Sequence, residues 1–232
     1  MRRDEALMTL ATYLERRGVG ADRGLFRYVD RLSAHTGWAH AFLAGYARWG
    51  GLVALAALWA ACWLVVARRR NDGYRSVAAV VLTGAATVLA LLVNQVVGPL
   101  VDRPRPFVAM PHVLVLVHHA ADPSFPSDHA VVAGAFAAGL LVVSRRWGVL
   151  ATVLAVLLAF ARVYCGVHYP LDVIGGLLIG AAVAALVILT ARDALLRLLA
   201  VVARTPLRPV LTATPARPDT APAEPHAPVT RP

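Results

Sequence analysis

Apolar residues dominate five stretches of the 232-residue chain, and short polar segments separate them. Several of these stretches approach the length of about 20 residues that a helix needs to cross a bilayer. They cover residues 51–67 (with a start as early as 39), 77–101, 130–143, 147–164 and 171–190. The pattern predicts an all-α, polytopic transmembrane helical bundle with five to six spans.

The two ends of the chain depart from this pattern. Residues 1–36 mix charged and apolar side chains, and the apolar ones recur at helical spacing, which predicts amphipathic helices on the membrane surface. Residues 205–232 hold eight of the fifteen prolines. We therefore expect a Pro-rich, disordered cytoplasmic tail over 196–232 and a membrane domain over 37–195.

Composition and charge agree with a membrane protein. Hydrophobic residues make up 59% of the chain, and the net charge of +10 comes entirely from Arg, because there is no Lys. The arginines lie mostly in short loops beside apolar stretches, which favours the bilayer as partner and argues against nucleic acid. The oligomeric state is left open.

Arginine counts also predict the orientation. The loops after the first, third and fifth spans are Arg-rich, so by the positive-inside rule they face the cytoplasm. The loops at 102–126 and 165–170 then face outward. With five spans, the Arg-containing N-terminal region also lies outside, in conflict with the same rule.

A polar turn at 123–129 separates two apolar stretches. Pro126 stops the preceding segment and Ser127 is a preferred N-cap, so His129 falls in the first turn of the next helix. Unpaired N–H groups and the helix dipole attract an anion there. The alternative is an ordinary Ser-Asp cap on a membrane helix.

Charged residues also flank the outward loops. Arg103 and Arg105 alternate with prolines that stiffen the backbone and can aim a guanidinium; anchoring to lipid headgroups is the alternative. Arg162 lies near the end of an apolar span, where a charge needs a partner or a task.

His168 and Asp172 follow at the start of the fifth span. Pro170 suits the first turn of that helix, so Asp172 is within reach of a ring nitrogen of His168. A histidine oriented by a carboxylate presents a neutral, nucleophilic nitrogen. Alternatively, Asp172 is a simple helix cap.

The outward loops thus gather histidines, arginines, a serine and a carboxylate at one membrane face. Guanidinium groups match phosphate oxygens, and the acidic residues are too few for a two-metal phosphatase. The set suits phosphoryl transfer through a phosphohistidine, with no metal and no organic cofactor. His112, His118 and His119 could suggest a metal site, but incidental histidines in a wet loop are the favoured interpretation.

Three motifs in register resemble the signatures of the phosphatidic acid phosphatase type 2 (lipid phosphate phosphatase) superfamily. They are Arg105-Pro106, Pro126-Ser127-Asp128-His129 and Arg162-x5-His168-x3-Asp172. The loop at 119–129 and the segment at 168–173 are further similar to the bacitracin-resistance type of undecaprenyl-diphosphate phosphatase. The resemblance runs from about the first predicted span to the fifth.

This resemblance implies hydrolysis of an isoprenoid diphosphate or phospholipid, foremost undecaprenyl diphosphate, at the extracytoplasmic face of a bacterial plasma membrane. It implies His168 as nucleophile, Asp172 as the group that fixes its tautomer, and His129 as acid and base. The implied phosphate-binding residues are Arg105, Arg162, Ser127, Asp128 and Arg103, with weaker support from His119 and Pro126.

The chain departs from the superfamily pattern at three positions. Gly98 replaces a Lys seven residues before Arg105, Ala161 replaces a Ser, and Asp128 replaces a Gly, the last as in the undecaprenyl branch. Loss of the Lys removes a phosphate ligand, and we hypothesise that Arg103 substitutes for it.

Three other functions stay open. A broader phosphatase acting on phosphatidic acid or phosphatidylglycerophosphate would share every catalytic residue. A transporter would carry charges deep within several spans, whereas here they lie at span ends. An inactive scaffold is suggested by Gly98 and Ala161.

Overall fold

The structure, a computed structural model, describes residues 20–72, 74–118 and 122–211. This part of the chain is helical and contains no strand. The helices are α1 (20–35), α2 (Gly37–Arg69), α3 (Arg75–Val101), α4 (Pro106–Ala109), α5 (Asp128–Val143), α6 (Arg145–Tyr164), α7 (Pro170–Val202) and α8 (Arg208–Leu211). The predicted all-α membrane bundle is confirmed.

Four of these helices, α2, α3, α6 and α7, are long and apolar enough to cross a membrane. The third predicted span, residues 130–143, corresponds to α5, which has only 16 residues. Helix α2 begins well before residue 51 and includes a five-residue π-helical segment, Tyr46–Gly50, that contains Arg48. This polar interruption explains why the apolar pattern becomes continuous only afterwards.

Helix α5 lies at the centre of the bundle and packs against α2, α3, α6 and α7. Its contact with α7 is close because glycines line it: a Cβ on Gly180 would lie 1.9 Å from the Val131 carbonyl oxygen. A Cβ on Gly134 would likewise lie 2.1 Å from the Leu177 carbonyl oxygen. Such small residues let helix backbones approach closely within a membrane.

Helix α1 packs over the end of the bundle that carries the loops at 102–126 and 165–170. Phe26 is fully buried and meets the ring of Tyr169 edge-on at 5.4 Å, while Tyr28 on another face is exposed. The N-terminal region therefore lies at the same end as the 102–126 and 165–170 loops. The surface helices expected over residues 1–19 lie outside the described residues.

The C-terminal boundary differs from the expected one. Helix α7 continues to Val202, beyond residue 195, and Leu211 in α8 is buried. Leu195, Leu196 and Leu199 explain the extension, because they continue the helical spacing and pack against the core. The part of the predicted tail over 212–232 lies outside the described residues.

Candidate active site

A cavity of about 140 Å³ opens at the end of the bundle where α5 begins. Its walls include His129, His168, Arg105 and Arg162, so the three separate motifs meet around one space. The cavity is smaller than the roughly 300–1,000 Å³ of pockets that hold whole drug-sized ligands. It suits a head group, while a long chain would have to lie elsewhere.

The hydrogen bonds of His168 define its tautomer. Nδ1 lies 2.8 Å from the Ser124 carbonyl oxygen, which can only accept, so Nδ1 carries the proton. Nε2 lies 3.3 Å from Arg105 Nη1 and 3.2 Å from Arg162 Nη2, and guanidinium nitrogens can only donate. The buried ring thus presents an unprotonated Nε2 to two guanidinium groups.

Backbone and carboxylate oxygens hold both guanidinium groups in place. Arg105 donates from Nη1 to the Val167 carbonyl oxygen at 2.9 Å, and from Nε and Nη2 to the carbonyl oxygen and Oδ2 of Asp122, both at 3.0 Å. Arg162 donates from Nη1 to the Ala47 carbonyl oxygen at 3.2 Å. Both arginines are buried, so two dehydrated positive groups are fixed beside His168.

Asp172 lies beneath His168 and has several donors. Oδ2 accepts from Ser124 Oγ at 2.5 Å and from the Tyr169 amide at 2.8 Å, and Oδ1 accepts from Arg103 at 2.6 Å. The distance from Oδ2 to His168 Nδ1 is 3.8 Å, too long for a hydrogen bond. The expectation that Asp172 fixes the tautomer is wrong in this structure, because the Ser124 carbonyl takes that bond; Asp172 also caps α7.

Arg103 does not take the place expected for a phosphate ligand. Its guanidinium lies between Asp22 and Asp172 and over the ring of Tyr169, 4.0 Å from the centroid. The two buried carboxylates hold the guanidinium in this position, away from the cavity. The hypothesis that Arg103 replaces the missing Lys therefore does not fit the geometry.

The turn before α5 holds hydrogen-bond donors beside the cavity, which Asp128 and His129 line and the buried Ser127 does not. Ser127 is the N-cap residue, but its buried Oγ has no hydrogen-bond partner among the described residues. Its amide donates to the Asp172 carbonyl oxygen at 3.1 Å, which fixes this turn to the start of α7. The first amides of α5 have no carbonyl one turn back to pair with, so Ser127 Oγ and these amides suit an anion.

The side chains of Asp128 and His129 point to other helices. Asp128 Oδ1 accepts from Asn94 Nδ2 at 2.6 Å, so the carboxylate is bound to α3 and only the backbone of Asp128 suits a phosphate. His129 Nε2 lies 3.2 Å from the carbonyl oxygen of Arg48. A proton on Nε2 makes this hydrogen bond, because the carbonyl oxygen can only accept.

The π-helical segment of α2 serves both sides of the cavity. The carbonyl of Ala47 accepts from Arg162, and that of Arg48 lies beside His129. In a regular α-helix these carbonyls would accept from amides four residues later, and a π-helical turn disturbs that pairing. The irregular turn thus supplies two acceptors to predicted site residues.

Several contributing residues were not predicted. Ser124 contacts Arg103 and two residues of the third motif: its amide donates to the Arg103 carbonyl at 2.7 Å, its Oγ donates to Asp172, and its carbonyl accepts from His168. Asn94 was detectable as a polar residue within an apolar span. Nothing in the sequence pattern indicated a role for Asp22, because only the fold brings α1 to the site.

The remaining predicted positions are less central. Pro126 is buried and its carbonyl accepts from Asn94 at 3.2 Å, whereas His119 lies outside the described residues. Gly98 lines the cavity, and a Cβ there would have only the Phe125 carbonyl within 4 Å, at 3.8 Å. The absence of a Lys side chain at position 98 thus leaves open space in the cavity. Within the described ranges, no three metal-ligating side chains are grouped.

Comparison with known proteins agrees with the three motifs. The profile of the PAP2 superfamily matches residues 78–195, a little over half of the chain. Undecaprenyl-diphosphatase BcrC of Bacillus subtilis (strain 168) is 33% identical over 158 residues, which are 67% of this chain and 76% of that protein. YbjG of Escherichia coli (strain K12) is 48% identical over 102 residues, 44% of this chain and 51% of that protein, so this match spans about half of that relative.

The fold is also similar to that of a solved structure. The crystal structure of LpxE from Aquifex aeolicus superposes with a TM-score of 0.56 and 24% sequence identity. The superposition covers 71% of this chain and 93% of that chain. At this identity the similarity concerns the arrangement of the helices.

Proposed function

Because the chain belongs to the PAP2 superfamily, we propose that it is a lipid phosphatase that hydrolyses undecaprenyl diphosphate to undecaprenyl phosphate and inorganic phosphate. The reaction proceeds through a phosphohistidine on His168 at the extracytoplasmic face of a bacterial plasma membrane. The observation that carries the proposal is the unprotonated Nε2 of His168, held between two buried guanidinium groups at the cavity. The relative named undecaprenyl-diphosphatase supports the substrate.

In the first step, Nε2 of His168 attacks the terminal phosphorus and the bond to the bridging oxygen breaks. Arg105 and Arg162 turn their N–H groups from Nε2 to the phosphoryl oxygens, where negative charge must be stabilised. Ser127 Oγ and the first amides of α5 donate to the same oxygens. Protonated His129 gives its proton to the departing undecaprenyl phosphate.

In the second step, neutral His129 takes a proton from water, and the resulting hydroxide attacks the phosphorus. The N–P bond breaks, the electron pair returns to Nε2 of His168, and inorganic phosphate leaves. The phosphorylated ring is positively charged while Nδ1 keeps its proton, and Asp172 at 3.8 Å stabilises that charge. The proposal uses no metal and no organic cofactor.

An apolar surface beside the cavity suits a lipid chain. Leu92, Val96 and Leu100 recur every four residues on α3 and are 61%, 63% and 80% exposed. The neighbouring residues Gln95 and Pro99 line the cavity itself. An isoprenoid chain can therefore lie along α3 in the bilayer while its diphosphate enters the cavity.

The test is release of inorganic phosphate by the purified protein from undecaprenyl diphosphate and, separately, from phosphatidic acid. We expect faster release from undecaprenyl diphosphate and no release by His168→Ala, whereas His118→Ala, an exposed histidine outside the cavity, retains activity. Substrate labelled with ³²P at its terminal phosphate should transfer the label to the protein. The phosphoryl label on the protein should be acid-labile, and it should be absent in His168→Ala. Preference for phosphatidic acid would favour the broader phosphatase, and activity in His168→Ala would exclude this nucleophile.

Sidedness needs a separate measurement. The native Cys62 and Cys165 are both buried, so their labelling background is low. In intact cells, a membrane-impermeant maleimide should label His118→Cys in the loop near the cavity and spare Asn71→Cys between α2 and α3. The reverse pattern would place the site on the cytoplasmic side.

A further inference from the structure

Arg103 links two buried carboxylates from distant parts of the chain. Its Nη1 donates to Asp172 Oδ1 at 2.6 Å and its Nη2 donates to Asp22 Oδ2 at 2.5 Å. The side chains of Asp22 and Asp172 are 1% and 0% exposed, against 20% for Arg103. Charges with so little access to water interact more strongly than a surface ion pair.

Asp22 is itself held at the start of α7. Its Oδ1 accepts from the Leu171 amide at 2.9 Å, one of the first-turn donors of that helix. One turn further along α1, Phe26 packs edge-on against Tyr169. A polar and an apolar contact thus fix α1 to the segment that carries His168 and Asp172.

We propose that Asp22 is a positioning residue for the hydrolysis: through Arg103 it sets the orientation and charge of the Asp172 carboxylate beneath His168. This inference rests on the proposed function, because it assigns a role within the same reaction. Asp22 lies outside residues 78–195, which the superfamily profile matches, so the profile does not include this contact from the N-terminal helix.

The geometry explains why a second carboxylate is needed. A guanidinium that faces one carboxylate alone tends to bind both of its oxygens with two parallel N–H groups. Such a bidentate pair would draw Asp172 Oδ2 away from Ser124 Oγ and the Tyr169 amide, its present partners. Asp22 takes one of the two N–H groups, so Arg103 binds only Oδ1 of Asp172.

Charge leads to the same conclusion. Asp22, Arg103 and Asp172 together carry a net negative charge on the Nδ1 side of His168, opposite Arg105 and Arg162 at Nε2. This negative charge favours the positively charged phosphorylated ring. Asn at position 22 keeps an oxygen for the Leu171 amide but removes the negative charge. Arg103 would then offset Asp172 completely, and the phosphorylated ring would lose stabilisation.

The experiment compares Asp22→Asn with Asp30→Asn, using whichever of the two lipids the wild-type protein hydrolyses. Asp30 is a matched control, because it lies on the same helix and accepts from the Leu114 amide at 3.1 Å without touching Arg103. We expect Asp22→Asn to lower kcat about tenfold with little change in KM, as befits lost stabilisation of the transition state. Asp30→Asn should stay within about twofold of the wild type.

A double-mutant cycle separates positioning from stability. In an Asp172→Asn background, Asp22→Asn should change kcat less than about twofold, because its effect passes through Asp172. An equal fall in both backgrounds, or an equal fall in Asp30→Asn, would overturn the inference, as would unchanged kcat in Asp22→Asn. Hydrolysis of phosphatidic acid alone would refute the proposed substrate yet leave this comparison valid, since it is made between variants.

Discussion

Replacing Asp172 by Asn tests how the site stabilises the phosphorylated histidine. The carboxylate lies 3.8 Å from His168 Nδ1, while the proton on Nδ1 is held by the Ser124 carbonyl. Asn at position 172 therefore removes a charge without removing the group that sets the tautomer. At about 4 Å and an effective dielectric constant of about 20, two unit charges interact by about 4 kcal/mol.

That energy corresponds to about a thousandfold in rate, at about 1.4 kcal/mol for each factor of ten. Arg103 lies 2.6 Å from Asp172 and already offsets part of its charge, so we expect kcat to fall between about 100-fold and 1,000-fold. KM should change little, because the positive ring charge forms only during the reaction.

The assay measures steady-state phosphate release and the amount of labelled phosphoenzyme. Equal Tm values of the variant and the wild type serve as the control for folding. Ser124→Ala is a graded comparison, because it removes one hydrogen bond to Asp172 and keeps the carbonyl that holds Nδ1. A bond to a charged group contributes about 1.5–3 kcal/mol, so its kcat should fall about 10-fold to 100-fold. Near wild-type kcat in folded Asp172→Asn would show that the carboxylate has no electrostatic role.

Three further predictions follow from the same geometry. His129→Ala should accumulate labelled phosphoenzyme from undecaprenyl diphosphate while turnover falls at least about 100-fold. A phosphate leaving group with a pKa of about 6 can depart without the proton from His129, whereas the water of the second step still needs a base. Absence of the label would contradict this prediction. Gly98→Lys should fold and lower KM several-fold, since open space surrounds Gly98. Gly180→Ala, in contrast, should lower Tm, because its Cβ would meet the Val131 carbonyl oxygen at 1.9 Å. Burial raises the pKa of Cys165 to about 11, so maleimide at pH 8 should label it only after unfolding, and rapid labelling of the folded protein would disagree.

Much of the architecture follows from local sequence. Continuous apolar stretches predict spans because a buried backbone in lipid must pair within its own helix, and this places α3, α6 and the start of α7 well. The start of α2 is harder to predict, because Arg48 and the π-helical segment interrupt the pattern where the helix contributes carbonyls to the site.

The site was predictable to the extent that its residues stand out from apolar surroundings. Arg162 and His168 do so, and the structure brings them together with Arg105. The partners of each side chain were not predictable, because they depend on three-dimensional distances. The bond from His168 to a backbone carbonyl leaves no trace in residue type, and Asp22 looks like any other acidic residue of an amphipathic helix.

The short length of α5 bears on which lipids can reach the cavity. Its 16 residues extend about 24 Å, less than the roughly 30 Å thickness of a hydrocarbon core. With its other end at the opposite surface, we expect the end that carries His129 to be recessed below the membrane surface. The loop before it is tolerated at that depth because neighbouring helices enclose it. A polyprenyl lipid attaches its phosphates directly to the hydrocarbon chain and can lower them to this level, whereas in a glycerolipid the ester-linked glycerol holds the phosphate further out. We therefore expect membrane depth to act as a selectivity filter.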